Sequence, residues 1–184
     1  MTLKEQKTAL RKTLKQKRKE LIQSGMKKEL DQKVYGNLVN SDIIDKYNVF
    51  LCYVSTEIEV DTTRFISLCF EKGKIVAVPR CTPDEMTFYV INSFSDIGTG
   101  MYGIKEPFDY CRTLTYEEMS KSLCLVPALA YNKEGYRIGY GKGYYDKFIS
   151  GYNGDTLGLC YSDFIRDDIP IDKLDKRIEK VITD

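Results

Sequence analysis

Short apolar runs separated by stretches of helical pattern place the tightest limit on how this chain folds. Residues 49–55, 74–78, 123–126 and 157–161 are runs of four to seven residues, and Pro79 and Pro127 stop the second and third. Runs this short and this apolar read as buried strands. Residues 86–91 read as a further strand. Between them lie helical stretches at about 3–24 and at 27–39. Another reaches Lys72, with Asp61 or Thr62 as its cap and Gly73 just beyond its end, and a last one spans 144–150. Strands alternating with helices define an α/β fold with a mostly parallel sheet flanked by helices. At 184 residues the chain reads as one domain, 1–184, long enough to bury about 70% of its unfolded surface. Ligands in such sheets bind beyond the carboxyl ends of the strands, where the loops after Ser55 and Val126 are expected.

Residues 135–146, GYRIGYGKGYYD, carry the strongest functional signal. Gly139, Gly141 and Gly143 alternate, Lys142 sits between the last two, and Asp146 follows. Three glycines so close cost roughly 2–3 kcal/mol, unless the backbone must bend there or something must approach it. Bare peptide N–H groups and one lysine suit a phosphate, and a carboxylate just beyond suits its magnesium. The spacing matches neither a Walker A motif nor a dinucleotide Gly-x-Gly-x-x-Gly. A plain strand-to-helix turn with a solvated lysine is the alternative.

The chain has no histidine. That excludes Ser-His-Asp and Cys-His mechanisms and leaves chemistry that runs on positioning and charge, such as phosphoryl transfer. Six cysteines stand at least 12 residues apart, mostly in apolar runs. They read as buried free thiols in a cytoplasmic protein, and zinc is not expected. No apolar run is long enough to span a membrane, and the lysine-rich start lacks the features of a secretory signal.

The overall charge of +1 hides a division. Residues 1–28 hold ten Lys and Arg against Glu5 and Glu20, while the remainder is acidic. On a helical projection Leu3, Leu10, Leu14 and Leu21 fall within about 40°, and Lys7, Arg11 and Arg18 form an adjacent stripe about 40° wide. Cations on that border lie against the fold and can reach a cleft, or they simply snorkel. Nucleic-acid binding is disfavoured, because aromatics are not interleaved with the cations and the rest of the chain is acidic. Glu57, Glu59 and Asp61 after the first apolar run read as a solvated acidic turn with a helix cap. An amine or metal site is the alternative.

The residues quoted so far resemble the 5-formyltetrahydrofolate cyclo-ligase family, also called 5,10-methenyltetrahydrofolate synthetases. The specific part is LVPALAY at 125–131 followed by GYRIGYGKGYYDKF at 135–148. Support extends through Leu10, Arg11, Arg18 and Leu21, then Tyr53 to Ser55, Glu59 to Thr62, Val78 to Arg80, Gly103 to Pro107, Asp175 and Val181 to Thr183. The resemblance implies a three-layer fold similar to ribose-5-phosphate isomerase and CoA transferases. It also implies ATP- and Mg2+-dependent cyclisation of 5-formyltetrahydrofolate.

Carried over by motif, Lys7 and Arg11 would contact ATP. Arg137, Ile138, Gly139, Tyr140, Gly141, Lys142, Gly143, Tyr144 and Tyr145 would wrap its phosphates, with Lys142, Arg137 and Arg11 catalytic. Asp146 and Asp175 would hold magnesium, with Asp172 three residues from the latter. Val54, Glu59, Tyr140 and Tyr144 would contact the folate. The expected partners are small molecules, with no nucleic acid or membrane, and the expected state is a monomer. A phosphosugar isomerase or CoA transferase on the same fold, and a nucleic-acid binder acting through residues 1–28, are the competing readings.

Overall fold

The computed structural model describes residues 1–100 and 103–184. Its helices are α1 (Leu3–Gln23), α2 (Lys27–Asn40), α3 (Ile43–Lys46), α4 (Thr63–Glu71), α5 (Tyr116–Ser120) and α6 (Tyr144–Ser150). The strands β1 (Val49–Leu51), β2 (Ile75–Cys81), β3 (Met86–Ile91), β6 (Ser122–Val126), β9 (Asp155–Leu159) and β10 (Lys180–Ile182) form one sheet in the order β10-β9-β6-β1-β2-β3. Every pairing is parallel except that of β2 with β3. Two small antiparallel pairs stand apart from it: β4 (Ile97–Thr99) with β5 (Lys105–Pro107), and β7 (Ala130–Tyr131) with β8 (Arg137–Ile138). No helix among the described residues is long and apolar enough to cross a membrane.

The mostly parallel sheet flanked by helices is the expected α/β architecture. Strands β1 and β6 are buried at every position, as central parallel strands covered on both faces must be. Three sequence-based strand ranges move, that of β9 only from 157–161 to Asp155–Leu159. The first run leaves the sheet after Leu51, where Cys52 N–H still donates to Ala77 O at 2.8 Å before the chain turns away. Pro79 does not end β2; the strand continues to Cys81, with Pro79 opposite Phe88. Strand β1 has already ended beside Ala77, so that flank of β2 is open and the missing N–H at Pro79 breaks no ladder bond.

Helix α1 begins with a capping box. Glu5 N–H donates to Thr2 Oγ1 at 3.3 Å, and Thr2 N–H donates to Glu5 Oε2 at 2.7 Å. It ends at Ser24, ahead of Gly25 at φ +76°. Leu14 is fully buried, with Leu10 and Leu21 packed against the core beside it. Arg18 goes in with them at 1% exposure. Its guanidinium donates to Leu129 O at 3.0 Å and lies over the rings of Tyr161 and Phe164 at 4.5 and 4.2 Å. One of the three border cations is therefore a structural tie. All six cysteines are free, and all but Cys81 are buried. Helix α4 starts where the sequence suggested, and Asp61 does the capping, accepting from Thr63 N–H at 3.2 Å.

Candidate active site

A cavity of about 920 Å³ opens at the carboxyl ends of β1, β2 and β6. Residues after β1 (Tyr53, Val54, Thr56, Glu59), at the end of β2 (Pro79, Cys81) and after β6 (Pro127) line it. From the other elements come Lys7, Arg11 and Lys15 of α1, residues 137–147 in and around the glycine loop, and Asp172, Leu174 and Asp175. Every residue given a ligand or metal role by the family resemblance thus lies on one wall or another of a single cavity, whereas Arg18, Glu57 and Asp61 do not. Seven Lys and Arg face four Asp and Glu across it, a surplus of positive charge suited to a polyphosphate.

The glycine loop runs from β8 to α6. Gly141 and Gly143 take left-handed φ of +100° and +73°, so the backbone does bend there. Gly141 is crowded as well, since a Cβ would lie 3.2 Å from Arg11 Cζ. Gly139 is different. Its φ is not left-handed, and an added Cβ would meet no protein atom within 4 Å. Neither backbone shape nor packing requires glycine at 139; it bares the peptide to the cavity. Helix α6 spans seven residues, so its N-terminal dipole is short, and the local cations carry most of the attraction for an anion.

Long-range contacts draw these pieces together. Arg11 Nε donates to Gly139 O at 3.0 Å, and Lys7 Nζ pairs with Asp175 Oδ2 at 2.5 Å, both contacts partly buried. Arg137, whose side chain is 5% exposed, donates to Asp146 Oδ1 at 3.0 Å and to Lys176 O at 3.1 Å. Lys176 N–H returns to Asp146 Oδ1 at 3.1 Å. Asp172 N–H donates to Asp175 Oδ2 at 2.7 Å. Both candidate metal carboxylates therefore reach the cavity already balanced by a cation of the chain. Among the described residues no three metal-binding side chains cluster. Two carboxylates completed by phosphate and water oxygens are nonetheless the way magnesium is usually held, so the donor set fits that ion.

The acidic turn splits in two. Glu57 is exposed, whereas Glu59 is buried at 8% exposure and lines the cavity. Glu59 Oε2 accepts from Thr56 N–H at 2.7 Å and Thr56 Oγ1 at 2.8 Å, which fixes the carboxylate. Tyr140 lies beside it. Burial, and then the charge of Glu59, push the Tyr140 phenol well up, so it stays protonated. Tyr144 Oη ties α6 to the turn after β2 by donating to Thr82 O at 2.8 Å. Lys15 escaped the sequence reading, although it follows Lys7 and Arg11 at helical i+4 spacing. Its Nζ stands 5.7 Å from the Tyr140 ring centre.

Comparisons with known proteins show the family. The model of the 5-formyltetrahydrofolate cyclo-ligase family matches residues 3–184. A 5-formyltetrahydrofolate cyclo-ligase of Mycoplasma pneumoniae is 30% identical over 97% of this chain and 98% of its own. A probable 5-formyltetrahydrofolate cyclo-ligase of Schizosaccharomyces pombe is 29% identical over 74% of each chain. Among solved structures, the 5,10-methenyltetrahydrofolate synthetase of Aquifex aeolicus superposes with a TM-score of 0.79 at 29% identity, covering 96% of this chain and 89% of that one. That of Mycoplasma pneumoniae gives 0.75 at 25%, covering 97% and 98%. The chain belongs to the 5-formyltetrahydrofolate cyclo-ligase family.

Proposed function

We propose that this protein closes 5-formyltetrahydrofolate to 5,10-methenyltetrahydrofolate at the expense of ATP, releasing ADP and phosphate. One observation carries the reading within the family. A cationic glycine loop and a buried, fixed carboxylate, Glu59, line the same cavity. The first suits a triphosphate, and the second suits a heterocycle rich in N–H groups.

The formyl oxygen is an amide oxygen with partial negative charge, and it attacks the γ-phosphorus in line. The bond to the β–γ bridging oxygen breaks and ADP leaves. The 10-nitrogen then adds to the formyl carbon and gives up its proton. Phosphate departs with the former formyl oxygen, and the five-membered ring is closed. Lys142, Arg137 and Arg11 offset the charge on the moving phosphoryl group. The backbone around Gly139, Gly141 and Gly143 lets its oxygens come close. Val54, Tyr140 and Tyr144 enclose the folate, and Glu59 accepts from its N–H groups.

Asp146 and Asp175 are the carboxylates for magnesium, which supplies charge neutralisation at the phosphates when bound. On this reading residues 1–184 act as one catalytic domain, in a cytoplasmic monomer whose partners are small molecules. ADP release measured by a coupled assay tests the proposal. It is expected to require 5-formyltetrahydrofolate and to match methenyl product one for one. ADP release that ignores the folate contradicts it.

A further inference from the structure

Tyr145 carries a hydroxyl that no other group among the described residues uses. Its Oη is shielded from solvent and makes no hydrogen bond among the described residues, yet the residue lines the cavity. The ring sits edge-on to Phe88, with centroids 6.5 Å apart, so core packing fixes where the hydroxyl points. A phenol is a neutral hydrogen-bond donor near pH 7. A buried donor without an acceptor costs stability that phenylalanine would avoid. The neighbouring Tyr144 shows the contrast, since its hydroxyl is spent on Thr82 O.

The surroundings decide what acceptor fits. Glu59 is in electrostatic range of both Tyr145 and Tyr140, and the Tyr140 hydroxyl is likewise buried with no partner of good geometry among the described residues. A carboxylate there repels phosphate oxygens and attracts N–H groups. A neutral donor at Tyr145 beside an anionic acceptor complements the edge of a lactam ring, where a carbonyl adjoins an N–H group.

Resting on the reading that a reduced folate occupies this cavity, we propose that Tyr145 Oη donates to the ring carbonyl of the pterin, while Glu59 accepts from the adjacent N–H groups. The Tyr145 side chain then reads the substrate, and only its backbone belongs to the phosphate loop. Its function is specificity for a 4-oxo over a 4-amino pteridine, because an amino group at that position offers the hydroxyl a donor where it needs an acceptor.

The test compares wild type, Tyr145→Phe and Tyr140→Phe. It measures direct binding of 5-formyltetrahydrofolate and its 4-amino counterpart, the KM for ATP, and thermal melting. Wild type is expected to prefer the 4-oxo ligand. Tyr145→Phe is expected to bind that ligand about 3- to 10-fold more weakly, with the preference reduced in proportion. The ATP KM stays within about twofold and the melting temperature is unchanged or higher. Folate binding by wild type with an unaltered preference in Tyr145→Phe overturns the assignment and leaves the functional reading intact. A rise in the ATP KM alone places the hydroxyl at the phosphates and overturns it too. If wild type binds neither pteridine, the functional reading fails and the assignment with it.

Discussion

Alanine at Gly139 and at Gly141 separates the two reasons a chain has for keeping a glycine. At Gly141 the φ of +100° is one that residues with a Cβ rarely adopt, and the new Cβ would sit 3.2 Å from Arg11 Cζ. The conformation alone costs about 1–2 kcal/mol. In a domain of this size 1 kcal/mol moves the melting temperature by about 2–4 °C, so Gly141→Ala is expected to melt about 2–8 °C lower. At Gly139 the backbone is ordinary and the Cβ has open space. Alanine there narrows the unfolded ensemble by about 0.4–1 kcal/mol, and melting is expected to stay level or rise by up to about 4 °C.

Activity is expected to go the other way. A methyl on the bared peptide at 139 keeps a phosphate oxygen from approaching to about 2.9 Å. Losing a preorganised donor at a reacting centre costs roughly 10²–10³ in rate. The kcat/KM for ATP is therefore expected to fall at least tenfold in Gly139→Ala, with the folate KM little changed. Melting by differential scanning fluorimetry and initial rates with ATP varied read both effects. A Gly139→Ala enzyme with wild-type ATP kinetics would refute the idea that a ligand approaches that backbone.

Other perturbations follow from the same geometry. Lys142→Ala is expected to lower kcat roughly 100-fold or more while moving the folate KM less than about threefold; near-normal turnover in a steady-state assay contradicts its phosphoryl-transfer role. Asp146→Asn is expected to raise the half-saturating magnesium concentration roughly tenfold, and an unchanged magnesium titration removes it from the metal site. Arg18→Met is expected to cost about 1–3 kcal/mol, because the buried carbonyl of Leu129 loses a charged donor; an unchanged urea midpoint contradicts its role as a tie. Burial raises the thiols of Cys81 and Cys160 to about 11 and that of Cys69 to about 12, against an ordinary 9.0. Unfolded thiols ionise first as pH rises, so this contribution is whole below pH 9 and is lost between about 9 and 12. The urea midpoint is expected to fall across that window, and a flat profile contradicts it.

The fold was legible wherever a run was buried on both faces. Strands β1, β6 and β9 announce themselves by composition and β3 by its alternation, whereas β10 has only Val181 and Ile182 to show as an edge strand. Pro79 misled because a proline ends a strand only if its missing N–H faces a neighbour, and that depends on where β1 stops. In the site, the glycines and lysine that suit the loop to an anion were legible locally. Its convergence with Lys7 and Asp175 did not, since residues 168 positions apart meet only through the fold. The helical projection placed Lys7, Arg11 and Arg18 on one stripe, but it cannot say which turn of α1 crosses the cavity. That turn ends near Lys15, and Arg18 lies beyond it, against Leu129 and Tyr161. Glu59 differs from Glu57 by facing inward, a distinction that charge alone does not carry.

On the proposed function a triphosphate and a formyl-folate share one cavity. The appearance of the methenyl chromophore from 5-formyltetrahydrofolate, followed with and without ATP, tests it most directly. Absorbance is expected to grow only when ATP and magnesium are present and to be lost in Lys142→Ala. Absorbance that grows equally without ATP, or none under any condition with folded wild-type protein, would contradict it.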